Sequence, residues 1–253
     1  MAGVWFCGAK AAGFMAEEQA FIEWRKSAPG QCAKAWEAQR LDAIVADIFG
    51  YNALQIGLPG EDLLAQSRIG AKFCCASVPG AGACVRAEPW ELPFATASVD
   101  LLLLAHTLDC VQTPHAVLRE AERILRPEGT LLICGLNPFG LWRAKAVRRR
   151  ISPLRLREWL SVLGLEVVDS CFGCFRPPFR QERWLEMCRW LEISGARLWW
   201  LGAGVYILRA VKRTRGVRLI EPQWRLGRLS STKTATAGAA RLTRREQDRE
   251  QVI

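Results

Sequence analysis

His106 is one of only two histidines in a chain of 253 residues, and it stands directly after the apolar run Val99–Ala105. An imidazole titrates close to neutral pH, so at a strand end it can act as a general base or orient a nucleophile. A plain hydrogen bond to a loop is the alternative. Asn137, Phe139 and Trp142 leave the end of the next apolar run, Thr130–Leu136. An amide beside two aromatic rings suits the mouth of a substrate site, a polar hook against an apolar wall. An arginine-rich arm follows at once, including Arg143, Arg148, Arg149, Arg150, Arg155 and Arg157, with only Glu158 beside them. In a chain of formal charge +10, that arm suits an anionic partner such as nucleic acid; a solvated basic face is the competing reading. Cys171-Phe172-Gly173-Cys174 is a lone CxxC with no second pair, so it completes neither a zinc tetrad nor a recognised redox motif.

These residues need a frame. Val99–Ala105 is apolar almost without alternation, as expected of a strand covered on both faces. Thr113 is placed to cap a helix with Pro114 in its first turn; Val117, Leu118, Ala121, Ile124 and Leu125 form its stripe, and Pro127 and Gly129 stop it. Strand, helix and the strand Thr130–Leu136 make a right-handed parallel crossover, with ligands expected beyond the carboxyl ends of the strands. Asp100 reads as a strand-edge anchor, and Glu120 and Arg123 as an i, i+3 pair.

Upstream, Glu17–Arg25 and Cys32–Phe49 read as helices around the break Ser27–Gly30, the second with Trp36, Leu41, Ile44, Val45 and Ile48 inward. Asn52–Ile56, Ala71–Val78 and Cys84–Ala87 read as strands, with the turn Gly57-Leu58-Pro59-Gly60 leading into a short helix, Glu61–Ser67. Downstream come a helix at Pro153–Leu163 and strands at Leu165–Cys171 and Gly204–Lys212, with a helical insertion over 175–203.

ELPFATASVDLLLLAH followed by LREAERILRPEGTLLICGLNP resembles the second half of a class I S-adenosylmethionine-dependent methyltransferase domain. The similarity extends from about Trp24 to Trp224, and GYNALQIGLPGEDLL and NPFGLW resemble one uncharacterised proteobacterial subfamily. The resemblance implies an α/β fold: a doubly wound, mostly parallel, seven-stranded Rossmann-like sheet with helices on both faces. It also implies methyl transfer from S-adenosylmethionine to an unidentified acceptor. In the cofactor loop Gln55 stands at the family's acidic position and Gly57 keeps the first glycine, while Pro59 and Glu61 replace the second and third; Gly60 supplies some of the missing freedom. Val78-Pro79-Gly80 lacks the family's ribose-binding acid. Glu88 falls where the family carries an acid facing the adenine amino group, with Trp90 as a wall, and Ala105 and His106 would flank the methyl group. A solvated loop glutamate is the alternative at position 88. The altered loop also fits a second function, a catalytically inactive module holding an anionic partner through the 143–157 arm.

No apolar run approaches the ~20 residues needed to span a bilayer. Residues 1–14 read as an unstructured leader, with Met15 an alternative start, because Lys10 interrupts any signal-like run. Residues 15–225 are expected to form the domain and 226–253 a basic, disordered tail. The other cysteines lie mostly in or beside strands as small hydrophobes, which suits the reducing cytoplasm.

Overall fold

The strand Val99–Ala105 is the centre of the sheet because only Asp100, near its start, can meet water; every other residue in it is buried. The structure, a computed structural model, describes residues 2–77, 85–140, 150–175 and 202–213, with side chains from residue 11 onward. All of them belong to a single unit, Met1–Arg215. The elements in chain order are α1 (Ala2–Arg25), α2 (Ala28–Ala46), β1 (Asn52–Ile56), β2 (Ala71–Ala76), β3 (Val85–Arg86) and β4 (Val99–Ala105). After these come α3 (Thr107–Cys110), α4 (Pro114–Ile124), β5 (Leu125–Leu136), α5 (Pro153–Val162), β6 (Leu165–Gly173) and β7 (Val205–Lys212).

The strand order is β3-β2-β1-β4-β5-β7-β6. β7 runs antiparallel to both of its neighbours and the other pairings are parallel. Chain order reverses between β1 and β4, and that reversal opens the crevice in which such sheets bind ligands. Asp100 ties the strand starts together: its Oδ2 accepts from the backbone N–H of Tyr51 (2.8 Å) and of Asn52 (3.0 Å), and Oδ1 meets Arg126. On α4, Val117, Leu118, Ala121 and Ile124 are buried as the periodicity predicts, while Glu120 pairs with Arg123 and both hold the backbone of Leu92.

Four local expectations change. The backbone is helical from Ala2, so residues 1–14 are not an unstructured leader. The segment is rich in alanine, which favours helix. Phe14 and Phe21, seven residues apart and both buried, anchor one face of α1, and Phe14 meets Trp90 edge-on at 5.9 Å. Glu61–Ser67 is a turn rather than a helix, because the Gln55 side chain takes the Glu61 carbonyl and the Leu63 N–H. Thr113 precedes α4 without making a side-chain cap. The sequence pattern also gave no sign of α3, a single turn directly after β4.

Val78–Gly80, Trp142, Arg143, Arg148, Arg149, most of the 175–203 insertion and the 226–253 tail lie outside the described residues. No helix among the described residues is long and apolar enough to cross a membrane.

Candidate active site

The loop after β1 is built around Gln55. Its buried amide nitrogen donates to the carbonyls of Gly57 (3.2 Å), Leu58 (3.3 Å) and Glu61 (2.7 Å), and its oxygen accepts from Leu63 N–H (3.0 Å). One amide therefore does what a carboxylate could not, donating and accepting at once. Gly57 adopts φ +88°, and a Cβ there would lie 2.6 Å from the Ala105 carbonyl oxygen. Only glycine combines that φ with so close an approach between the β1 loop and the end of β4. Thr107 completes the junction by donating to the Ile56 carbonyl at 2.8 Å. Gly60 differs: nothing lies within 4 Å of where its Cβ would be, so its face of the loop is open.

A line of charges of alternating sign crosses the ends of β1 and β4. Lys34 meets Glu61 at 3.4 Å; Glu61 takes the Nε and Nη2 of Arg25, each at 2.8 Å; Arg25 Nη1 meets Glu37 at 2.7 Å. Glu37 in turn holds His106 Nε2 at 2.8 Å, and His106 Nδ1 meets Asp109 Oδ2 at 3.1 Å. That same oxygen accepts from Leu136 N–H at the end of β5 (2.9 Å). Arg25, Glu37, His106 and Asp109 are all buried. His106 sits in the left-handed region at φ 55°, as the residue before α3, and its ring packs on Phe21 at 4.6 Å.

Burial works against the charged forms of Glu37, His106, Arg25 and Asp109, and the neighbours decide the outcome. For Glu37, burial raises the carboxyl pKa, but His106 and Arg25 overcome it and hold it at about 2. For His106, burial lowers the imidazole pKa, but Glu37 and Asp109 overcome it and raise it to about 9. Arg25 is held above its ordinary value, burial being outweighed by Glu37 and Glu61. At Asp109 burial wins, and its carboxyl lies above the usual range despite His106 and Leu136 N–H. Both ring nitrogens of His106 are therefore engaged, Nε2 by Glu37 and Nδ1 by Asp109, and Glu37 favours the protonated ring.

Glu88 follows β3. Its Oε2 accepts from the Ser77 hydroxyl at 3.2 Å, and Trp90, two residues on, is partly buried against the core beside Phe14. At the end of β5, Asn137 is buried and folds the turn, its side-chain oxygen accepting from Phe139 N–H; Phe139 itself is 60% exposed. Gln55, Gly57, Gly60, Ala105 and His106 thus gather at the β1–β4 crevice, with Glu88 and Trp90 beyond the end of β3. Asn137, Phe139 and Arg150 lie beyond β5.

Arg25, Glu37 and Asp109 were missed. Glu37 had a legible signal: Ala33, Glu37, Leu41 and Val45, four residues apart, are all buried on α2, so a carboxylate interrupts an apolar stripe. Arg25 and Asp109 carry no comparable mark in the sequence.

The residues present fit S-adenosylmethionine. A pocket of about 200 Å³ between α1, α2 and the β1 loop is lined by Arg25, Lys34, Leu58, Gly60 and Glu61, among others. It offers both signs of charge to a zwitterionic amino-acid tail, across the open face of Gly60. The Glu88 carboxylate accepts from Ser77 and has further acceptor capacity, which suits an exocyclic amine.

Residues 66–133 match the family model for a methyltransferase domain. A curated relative, the uncharacterized protein YafS of Escherichia coli K12, is 37% identical over 148 residues, 54% of this chain and 61% of the relative. The chain thus spans about three-fifths of that relative's length. Among solved structures, a SAM-dependent methyltransferase from Archaeoglobus fulgidus superposes with a TM-score of 0.54 at 16% identity, over 71% of this chain and 94% of that one. A chain from the complex containing the Haloferax volcanii Trm112 methyltransferase activator gives a TM-score of 0.56 at 17% identity, over 78% and 97%. The strand order and the structural likeness give the chain the class I methyltransferase fold, and residues 66–133 within it match a methyltransferase domain.

Proposed function

We propose that the protein transfers a methyl group from S-adenosylmethionine to an acceptor bound beyond the ends of β4 and β5. The observation that carries this reading is the β1–β4 crevice, where a glycine turn pinned by Gln55 presents the open face of Gly60 beside a pocket of mixed charge. When bound, the donor supplies a methyl group already activated on a sulfonium, so the protein's task is alignment and exclusion of water. Gln55 fixes the loop that approaches the donor. Arg25, Lys34 and Glu61 receive the amino-acid end, Glu88 accepts from the adenine amino group, and Trp90 walls that side. Ala105 and His106 close the site at the end of β4.

In this reading His106 is a positioning residue. A general base must be free to take a proton, and a ring with both nitrogens held by Glu37 and Asp109 is not. Its part is to lock α2 and α3 to the sheet next to the reacting atoms.

Calorimetric titration with S-adenosylmethionine and S-adenosylhomocysteine tests the proposal. Binding is expected in the tens to hundreds of micromolar, as an order of magnitude for a site with an altered loop. Glu88→Ala should weaken it about tenfold, the loss of one hydrogen bond. Glu128→Ala, a surface change at a residue paired with Arg213, should leave it unchanged. If neither ligand binds at millimolar concentration, the methyl-transfer reading fails.

A further inference from the structure

A second pocket, of about 400 Å³, lies beyond the carboxyl end of β5, outside the charged line and the donor loop. Its volume falls in the range of small-molecule sites. Two of its walls are aromatic: Phe139, exposed after the β5 turn, and Trp159 of α5, whose ring also contacts His115 at a centroid distance of 4.0 Å. Arg150 and Arg155 bring positive charge to it, and no carboxylate is among its described lining residues. The Arg155 guanidinium already lies over the Trp159 ring, 5.4 Å from its centroid, so cation and aromatic face are presented together. Ser152, the N-cap of α5, also lines the pocket, which places the positive end of a ten-residue helix there. The floor is fixed: the Tyr206 hydroxyl donates to the Ile151 carbonyl at 3.0 Å, and Ile151 is part of the wall.

We infer that this pocket binds a small aromatic anion, its ring between Phe139 and Trp159 and its carboxylate or phosphate toward Arg150 and Arg155. Resting on the proposed methyl transfer, that molecule is the acceptor. The placement suits the role, because the pocket opens where β5 ends, and the Leu136 N–H at that end is bonded to Asp109, the neighbour of His106. Guanidinium groups pair with planar anions through parallel hydrogen bonds, and a ring stacks on Trp159 as readily as Arg155 does. A cavity this size has room for one or two fused rings.

The probes are 1-naphthoate, its neutral isostere 1-naphthamide, and phenyl phosphate, titrated by calorimetry and by ligand-observed NMR on the full chain. Naphthoate and phenyl phosphate should bind on the order of 0.1–1 mM, as expected for ligands of this size. Naphthamide should bind about tenfold more weakly. Arg155→Gln, a change at an exposed position, should lower naphthoate affinity about tenfold and leave naphthamide unchanged. Trp159→Leu should weaken both. Equal affinity for acid and amide, or an unchanged Arg155→Gln variant, overturns the inference. A short RNA that binds more tightly than naphthoate and displaces it would assign the surface to nucleic acid and overturn it as well. S-adenosylhomocysteine titrated into the same samples separates the two proposals. Donor binding without naphthoate binding removes the pocket assignment alone, and naphthoate binding without donor binding keeps the ligand class but removes the acceptor role.

Discussion

Replacing Glu37 by glutamine tests whether the charged line is one coupled unit. Both oxygens of Glu37 are in use, 2.8 Å from His106 Nε2 and 2.7 Å from Arg25 Nη1, and the residue is fully buried. Glutamine keeps one acceptor for His106 but turns an amide N–H₂ toward a guanidinium. Removing one partner from a buried ion pair costs about 3–5 kcal/mol, and that loss is expected in the unfolding free energy at pH 6. The pH dependence is more specific. The imidazole pKa of His106 is raised from an ordinary 6.5 to about 9, so the folded state holds a proton that the unfolded chain releases. The resulting stabilisation is complete below pH 6.5 and is lost as pH rises through 9, a change of about 3 kcal/mol. Glu37 acts in the opposite direction: its carboxyl is held at about 2 against an ordinary 4.5, so its stabilisation is present above 4.5 and lost as pH falls through 2. Urea unfolding of the wild type at pH 6 and pH 9.5 should show the alkaline loss. In Glu37→Gln that loss should shrink to less than half, with only Asp109 left to hold the proton. Parallel alkaline curves for the two proteins would refute the coupling.

Two further changes probe the donor loop. Gln55→Glu restores the acid common in the family, yet it should lower stability by about 1–3 kcal/mol, because the carbonyls of Gly57, Leu58 and Glu61 would lose their shared donor and face a negative charge; thermal melting reads it. Gly57→Ala should lower the melting temperature by several degrees and weaken S-adenosylhomocysteine binding, since a Cβ at φ +88° meets the Ala105 carbonyl.

The sheet was legible because its strands are apolar runs bounded by turn residues: β1 and β4 fall where the pattern puts them, and Val117, Leu118, Ala121 and Ile124 of the α4 stripe are buried, while Leu125, expected in that stripe, instead begins β5. The glycine turn after β1 was legible too: β1 ends at Ile56, and Gly57 opens the turn at φ +88°. The use made of Gln55 was not. Its spacing shows a lost acid, whereas its four hydrogen bonds depend on how the loop folds back over it. His106 reads as a base from its residue type and position alone; only the approach of α2 and α3 reveals two carboxylates around it. Long-range pairing of charges leaves no period in a sequence, which is why Arg25 went unnoticed while the Glu37 interruption was there to be read. Residues 1–14 read as a leader once Lys10 ruled out a signal-like run; the helix shows in the pattern only when the phenylalanines at 14 and 21 are counted on one face.

The charged line also has a history in time. Thirty-six residues separate Arg25 from Glu61, and 69 separate Glu37 from His106. A ribosome adding about 5–20 residues per second delivers these partners roughly 2–14 s after the helices that need them. Until then, seating α1 and α2 on an incomplete sheet would bury a guanidinium and a carboxylate short of their counter-charges. Helices α1 and α2, made before β1 and β4, are therefore expected to dock only once those strands stand side by side. A nascent chain cut before residue 106 would keep both helices off the sheet.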